Sequence, residues 1–286
     1  MKKTIIGIAL VLMTLGCTGQ QDTGDGGETT STILSLIIED SSVTAGFSTT
    51  ATAAITNNWA TDIESGNLTM LPGRTDVIYT PSEQEIQNII KDTSQTAYVT
   101  IDTQATTFPN TYEMYGRFCF NYTTEAQQNV VIYTGESQTL PTNSYTNGPM
   151  SVAFGGTPQL NAQTQNRMTI LITISNIGNG VAYDNWDASS TANRLKKVAI
   201  TVPDDYVDVG SINNFAKSDE LSNDGVNKTF IWNSNIRMVS DKLQISVPMD
   251  KTDLTLAGEV QRAVRVTVEY GYCVDSNMVS LDVVRQ

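Results

Sequence analysis

From residue 33 onward, apolar and polar residues alternate along the chain in short runs. The clearest run is MTILITIS at 168–175, in which every second side chain is large and apolar and most of the others are threonine or serine. Successive side chains of a β-strand point to opposite faces, so this period of two predicts strands with one buried and one exposed face. Runs rich in β-branched residues, such as ILSLIIE at 33–39 and SVTAGFSTTATAAIT at 42–56, follow the same pattern. The chain is therefore predicted to be all-β.

One segment departs from this period. TPSE at 80–83 offers a threonine N-cap, a proline at the first helical position and a capping-box glutamate. Ile86, Ile89 and Ile90 follow at helical spacing. These features predict one short amphipathic helix at about 81–92, packed across the end of a sheet.

The two halves of the chain align with each other. The matching segments are 53–70 with 172–189 and 116–133 with 270–284. The first pair matches Asn57 with Asn176. The second pair matches Cys119 with Cys273. Each half has roughly a hundred residues, which is the size of an immunoglobulin-like sandwich.

The turn-rich stretch between the halves sets the predicted domain boundary, and the polar stretch before residue 33 has no apolar side chain to pack. The predicted organisation is a signal peptide at 1–16, a flexible tether at 17–32, a first β-sandwich at 33–140, a linker at 141–149 and a second β-sandwich at 150–286. The predicted fold is thus two tandem immunoglobulin-like β-sandwiches, with the short helix inserted in the first.

The segment Asn-Ile-Gly-Asn-Gly at 176–180 lies where one strand ends and the next begins. Asn and Gly tolerate the positive φ of a tight turn, and an Asn side chain bonds local backbone. This pattern resembles CARDB-type and related immunoglobulin-like modules of archaeal and bacterial surface proteins. The first half keeps Asn57 but has Trp59 in place of a glycine. The resemblance implies a spacer or adhesion module and no catalytic residues.

The first sixteen residues are typical of an export signal. Lys2 and Lys3 precede an apolar run at 5–15, which is too short to span a bilayer. We therefore expect an exported protein.

Cys17 directly follows this run. Gly16 and Cys17 resemble the lipobox of prokaryotic lipoproteins, whereas Thr14 and Leu15 depart from its usual residues. The resemblance implies that Cys17 carries a lipid that holds the protein to the cytoplasmic membrane at the cell surface. Ordinary cleavage nearby and an uncleaved anchor are the alternatives. Two acyl chains would hold a protein stably, at about 0.8 kcal/mol per buried CH₂.

Charge and composition exclude several functions. The net charge is −13, so nucleic acid, which is bound by clustered Lys and Arg, is not an expected partner. The chain has no histidine, which excludes Ser-His-Asp and Cys-His catalysis and imidazole zinc sites. We expect no enzymatic activity and no cofactor.

Acidic residues leave one candidate metal site. VPDDYVDVG places Asp204, Asp205 and Asp208 close together beside turn-forming residues. Oxygen ligands suit calcium. Solvated surface acids are the competing interpretation.

Cys119 and Cys273 each lie in a strand whose large apolar side chains alternate away from the cysteine. An oxidising exterior permits a disulfide between the two domains if their Cα atoms come within about 7 Å. Two separate, half-buried thiols are the alternative.

Two further groups of residues could bind or carry sugar. Asn67, Asn121 and Asn227 each begin an N-x-[ST] sequon, where glycosylation is possible. Trp59, Trp186 and Trp232 could form an aromatic sugar-binding platform, although tryptophans at strand ends more often fill a core.

Taken together, these features indicate a structural or adhesive lipoprotein at the cell surface, with the membrane and a surface protein or glycan as partners. One alternative is an envelope-attached protein that binds sugar or calcium. A hydrolase using paired carboxylates is a second, and a virion or filament subunit is a third.

Overall fold

The computed structural model describes residues 31–285 except 138, 147, 186–191, 219–225, 253–255 and 257. Every regular element in this part of the chain is a strand. In the first half these are β1 Thr32–Ile38, β2 Ser42–Thr44, β3 Ser48–Asn57, β4 Ile63–Leu71, β5 Val77–Thr80, β6 Glu83–Ile89, β7 Thr93–Thr103, β8 Asn110–Tyr133 and β9 Asn143–Tyr145. In the second half they are β10 Met150–Gly156, β11 Gln159–Asn161, β12 Arg167–Asn176, β13 Val181–Tyr183, β14 Arg194–Leu195, β15 Lys197–Pro203, β16 Val207–Asp208, β17 Ala216–Ser218, β18 Asn227–Trp232, β19 Ile236–Arg237, β20 Lys242–Lys251, β21 Glu259–Asp275 and β22 Val279–Val284.

Two small sheets and one large sheet account for most of these strands. The small sheets have the orders β1-β3-β7-β5 and β10-β12-β20-β16. The large one, the central sheet, has twelve strands, with β17-β18-β15-β21-β8-β22-β2 as its main path, β4 beside β8 and β6 beside β4. A separate two-stranded sheet pairs β14 with β19.

The long strands β8 and β21 form the middle of the central sheet. They pair antiparallel from Arg117 opposite Asp275 to Tyr133 opposite Glu259. After a short break, β22 continues beside the start of β8, from Met114 opposite Val279. Strands from both halves of the chain therefore share one continuous sheet.

The same strand arrangement occurs on both sides of this pair. The first half contributes the small sheet β1-β3-β7-β5 and the central-sheet strands β6-β4-β8. The second half contributes the small sheet β10-β12-β20-β16 and the central-sheet strands β18-β15-β21. Buried side chains from these sheets form one hydrophobic cluster. The prediction of an all-β fold with two β-sandwiches is confirmed. The repeated order agrees with the internal alignment of the two halves.

The predicted helix at 81–92 is wrong. Residues Glu83–Ile89 form β6, which pairs antiparallel with β4, with Ile89 opposite Ile63. Asn88 has a φ of 56°, and this departure from extended backbone lets Ile86 and Ile89 both face inward. Their spacing of three imitates helical periodicity, and the backbone pairing with β4 overrides the local capping pattern.

The predicted linker at 141–149 contains β9, whose residue Tyr145 lies opposite Ala126 of β8. This segment is thus partly a strand of the central sheet. The domain boundaries themselves stay a prediction. Within the described residues, no helix has the length and apolar character needed to cross a membrane.

Candidate functional site

Matching turns follow β3 and β12. The Asn57 side chain donates from Nδ2 to the Thr61 carbonyl at 3.0 Å and accepts from the Trp59 N–H at 3.1 Å. Asn176 does the same with the Gly180 carbonyl at 2.9 Å and the Gly178 N–H at 3.2 Å. Each asparagine thus closes its own turn, as the sequence predicted.

The two turns meet where the sandwiches join. Trp59 is fully buried, and its Nε1 donates to Thr32 Oγ1 at 2.9 Å. A Cβ placed on Gly178 would lie 3.4 Å from Trp59 Cζ2 and only 2.1 Å from Tyr272 Oη. Gly178 therefore has to be a glycine because no larger residue fits beside these rings.

Tyr272 fastens the second turn to the central sheet. Its hydroxyl donates to Asn176 Oδ1 at 3.2 Å and accepts from the Gly180 N–H at 2.7 Å. Beside it, the Tyr270 hydroxyl bonds Thr124 Oγ1 at 2.8 Å and accepts from the Met150 N–H at 3.1 Å. The junction is thus a buried aromatic layer whose phenol hydroxyls are paired, which makes it a structural element.

These buried phenols predict alkaline destabilisation. Burial raises the pKa of Tyr272 from 10.0 to about 12, and it raises the pKa of Tyr270 as well. Below pH 10 both phenols are protonated whether the chain is folded or unfolded. Above it the unfolded chain ionises first, so the free energy of unfolding should fall as the pH rises from 10 towards 12. Urea titrations across this range will measure the fall. A Tyr272→Phe variant should show a shallower slope, and an equal slope would contradict the assignment.

Cys119 and Cys273 form a disulfide. They lie directly opposite each other on β8 and β21, with Cα atoms 4.1 Å apart and an S–S distance of 2.10 Å. Of the two arrangements open from the sequence, the structure has the pairing between the two sandwiches. The bond crosslinks the strand pair that both sandwiches share.

Asp204, Asp205 and Asp208 already have cationic partners. Lys228 lies between Asp204 and Asp208, with Nζ 2.9 Å from Asp208 Oδ1. Arg262 binds Asp205. Among the described residues, no three acidic or other metal-ligating side chains converge on a point. This geometry gives the calcium prediction no support, because an ammonium occupies the space between two of the three carboxylates.

The three sequons lie on the central sheet. Asn121 is exposed on β8. Asn67 donates to Glu83 Oε1 at 2.9 Å, and Asn227 is half-buried at the start of β18. Their glycosylation stays a prediction. Cys17 lies outside the described residues.

The tryptophans separate into different roles. Trp59 is a core residue, as strand-end tryptophans usually are, and Trp186 lies outside the described residues. Trp232, at the end of β18, is half-buried and borders a surface groove. Its ring centroid lies 5.4 Å from that of Phe215, with the rings inclined at 60°.

We call this concavity the Trp232 groove. It encloses about 490 Å³ between the 211–215 loop, the end of β18 and β20. Phe215, Trp232, Ile212, Leu243, Ile245 and Pro248 supply its apolar surface, and Ser211, Asn213, Asn214, Gln244 and Ser246 supply its polar surface. None of the described residues that line the groove is charged. The volume lies within the range of about 300–1,000 Å³ that is usual for small-molecule sites.

Three separate parts of the sequence position the groove. The Asn214 backbone has a φ of 71°, a left-handed conformation that asparagine tolerates, and it turns the loop so that Phe215 meets Trp232. Gln244 and Ser246 are exposed on β20, whose side chains alternate between the exposed face and the buried face. Sequence reasoning named only Trp232 of these residues. The uncharged run SINNF at 211–215 is the sequence feature that could have indicated the loop of the groove.

A slightly larger recess of about 530 Å³ lies beside β9. Its lining includes Glu125, Arg265 and Tyr145. This recess has one exposed aromatic ring and charges of both signs, whereas the Trp232 groove combines two aromatic rings with uncharged polar groups. The Trp232 groove is therefore the better candidate for specific recognition.

No protein-family model matches this chain, and no curated protein matches it either. Among solved structures it is similar to the type II cohesin dyad from the adaptor ScaA scaffoldin of Acetivibrio cellulolyticus, at 8% identity and a TM-score of 0.20, covering 85% of each chain. It is also similar to collagen adhesin (CNA) from S. aureus, at 8% identity and a TM-score of 0.19, covering 87% of this chain and 96% of that one. At these scores the likeness carries no argument about function.

Proposed function

We propose that this protein is a structural and adhesive component of a prokaryotic cell surface, without catalytic activity. The observation that supports this best is the disulfide between Cys119 and Cys273, which crosslinks the strands shared by two sandwiches. Disulfides of this kind persist in oxidising compartments outside the cytoplasm. A pair of sandwiches fastened through one sheet would present its surfaces in a constant orientation, as a spacer or adhesin requires.

The second part of the proposal is a lipid anchor on Cys17. The apolar run at 5–15, the Gly16-Cys17 pair and the polar segment at 18–32 support it. In this arrangement the polar segment is a tether, so the sandwiches stand away from the cytoplasmic membrane. The CARDB-like turn at 176–180 is consistent with a module of a surface protein.

A Cys17→Ser variant tests the anchor. In an export-competent prokaryotic host, the wild-type protein should partition into the detergent phase and carry the added mass of a lipid on Cys17. The variant should move to the aqueous phase, because one attachment point supplies all of the membrane affinity. Detergent-phase separation and intact-mass measurement will check both. A wild-type protein that begins at Cys17 without lipid mass would refute the anchor.

Adhesion is tested with the same two proteins. Cells that display the wild-type chain should bind to purified cell envelopes, and cells that produce Cys17→Ser should not. Equal binding by both, or by neither, would contradict a surface-held adhesin.

The second candidate function is a ligand-binding protein held at the envelope. The Trp232 groove favours it, since two aromatic rings and five uncharged polar side chains line one concavity. The two functions are compatible if the adhesin binds its target through the Trp232 groove.

A further inference from the structure

We propose that the Trp232 groove binds a neutral oligosaccharide. The inference rests on the proposed adhesive function and deepens it by naming the class of ligand. It concerns a surface of the second sandwich, far along the chain from Cys17, so it is tested separately from the anchor.

The aromatic part of the groove suits a sugar ring. Trp232 and Phe215 lie 5.4 Å apart between ring centroids and are inclined at 60°, which gives two apolar surfaces that meet at an angle. Trp232 Nε1 donates to the Ser234 carbonyl at 2.7 Å, and this bond holds the indole in place. A tryptophan fixed in this way offers a large contact area at low entropic cost. The apolar C–H face of a sugar fits such a surface.

The polar part of the groove suits the hydroxyl groups of a sugar. Asn213, Asn214 and Gln244 each carry a carbonyl acceptor and an NH₂ donor, and Ser211 and Ser246 can both donate and accept. Within the described part of the chain, none of these five side chains has a hydrogen-bond partner. Their donors and acceptors are free to bind the hydroxyl groups of a ligand, which also donate and accept.

The charge of the site favours a neutral ligand. The chain has 30 acidic and 17 basic residues, yet none of the described residues that line the groove is acidic or basic. An anionic sugar would approach a protein of net charge −13, and the described lining residues supply no cation to offset the repulsion. A cationic ligand would find no carboxylate partner among the described lining residues.

The groove is less suited to an added peptide strand. β20 borders it, and β16 pairs with β20 only at Lys251 and Asp250, so the rest of this edge has no strand partner among the described residues. Pro248 lies within that edge and lacks an N–H. Proline in an edge strand hinders pairing with another strand. The uncharged side chains of the groove therefore offer a sugar more contacts than the edge of β20 offers a peptide strand.

The test uses the full exported chain and a panel of probes. The panel contains short neutral oligosaccharides of hexose and of N-acetylhexosamine, sulfated and sialylated counterparts, and an extended peptide. Calorimetry will measure affinity, and the tryptophan emission will report contact with the ring. We expect at least one neutral oligosaccharide to bind and its charged counterpart to bind more weakly.

Two groove variants locate the binding. Trp232→Ala should weaken it by about thirtyfold or more, as expected for a tryptophan hot spot. Gln244→Ala, an exposed position whose change should leave folding intact, should weaken it by about threefold to tenfold through the loss of a hydrogen bond. Two exposed side chains away from the groove serve as matched controls, Tyr98→Ala for the ring and Gln163→Ala for the amide. Both controls should bind as the wild type does.

The inference is overturned if no neutral oligosaccharide binds, if only the charged sugars or the peptide bind, or if Gln244→Ala binds as tightly as Gln163→Ala. Loss of binding in the groove variants with normal membrane partitioning supports the inference. A failed Cys17 experiment with intact sugar binding would instead refute the anchor and leave the groove site in place.

Discussion

Replacing both Cys119 and Cys273 with alanine is expected to lower the free energy of unfolding by about 2–5 kcal/mol. The disulfide joins residues 154 positions apart, so its removal frees a long loop in the unfolded chain. The effect should be large because the two residues lie opposite each other in the strand pair that both sandwiches share. Urea unfolding followed by circular dichroism will measure it.

Two controls accompany this experiment. Cys17→Ser changes a cysteine that is not part of this bond, and it should leave the unfolding midpoint unchanged. A reducing agent should destabilise the wild-type protein and have no effect on the double variant. If the wild type and the double variant unfold at the same urea concentration under oxidising conditions, the bond contributes no stability.

Much of the fold follows from local pattern. Alternating runs such as 168–175 identify strands because each has one buried face, and the repeated cysteine and asparagine positions reveal two similar halves. What the pattern could not show is how the halves join. The pairing of β8 with β21 is a contact between distant parts of the chain, and its register is set by packing across the whole central sheet.

The helix predicted at 81–92 is wrong for the same reason, because the strand pairing that decides this segment is not visible in the local sequence. TPSE at 80–83 is a local signal, and a local signal describes what a segment would do alone. The edge of β4 offers this segment a row of backbone partners, and Ile89 gains full burial there. Tertiary pairing and burial outweigh the capping preference, which contributes about 1 kcal/mol.

The candidate site was the least predictable feature. Its rings come from a loop and a strand end, Phe215 and Trp232, and its amides come from the loop and from β20. None of these residues forms a motif along the sequence, because the fold alone determines which of them share a groove. The acidic cluster shows the converse. Asp204 and Asp208 are close in sequence and suggested a metal site, yet the fold places Lys228 between them.

The second large effect is expected from Trp59→Ala, which should lower the free energy of unfolding by about 3–5 kcal/mol. Trp59 is among the largest fully buried side chains, and it lies where the first turn meets Gly178 of the second. Its removal would leave a cavity at the junction and would free Thr32 Oγ1 from its indole partner. Urea unfolding will measure the loss.

Matched variants separate volume from hydrogen bonding. Trp59→Phe keeps part of the ring volume but loses the indole N–H, so it should cost less than Trp59→Ala and more than Thr32→Val, which removes only the acceptor. Trp232→Ala, at a half-buried tryptophan on the surface groove, should cost clearly less than Trp59→Ala. If the two tryptophan-to-alanine variants are equally stable, Trp59 does not hold the junction. Because the paired strands β8 and β21 and the Cys119–Cys273 disulfide still join the two sandwiches in Trp59→Ala, the loss should appear as one shifted transition. Separate unfolding of the two halves would contradict this expectation.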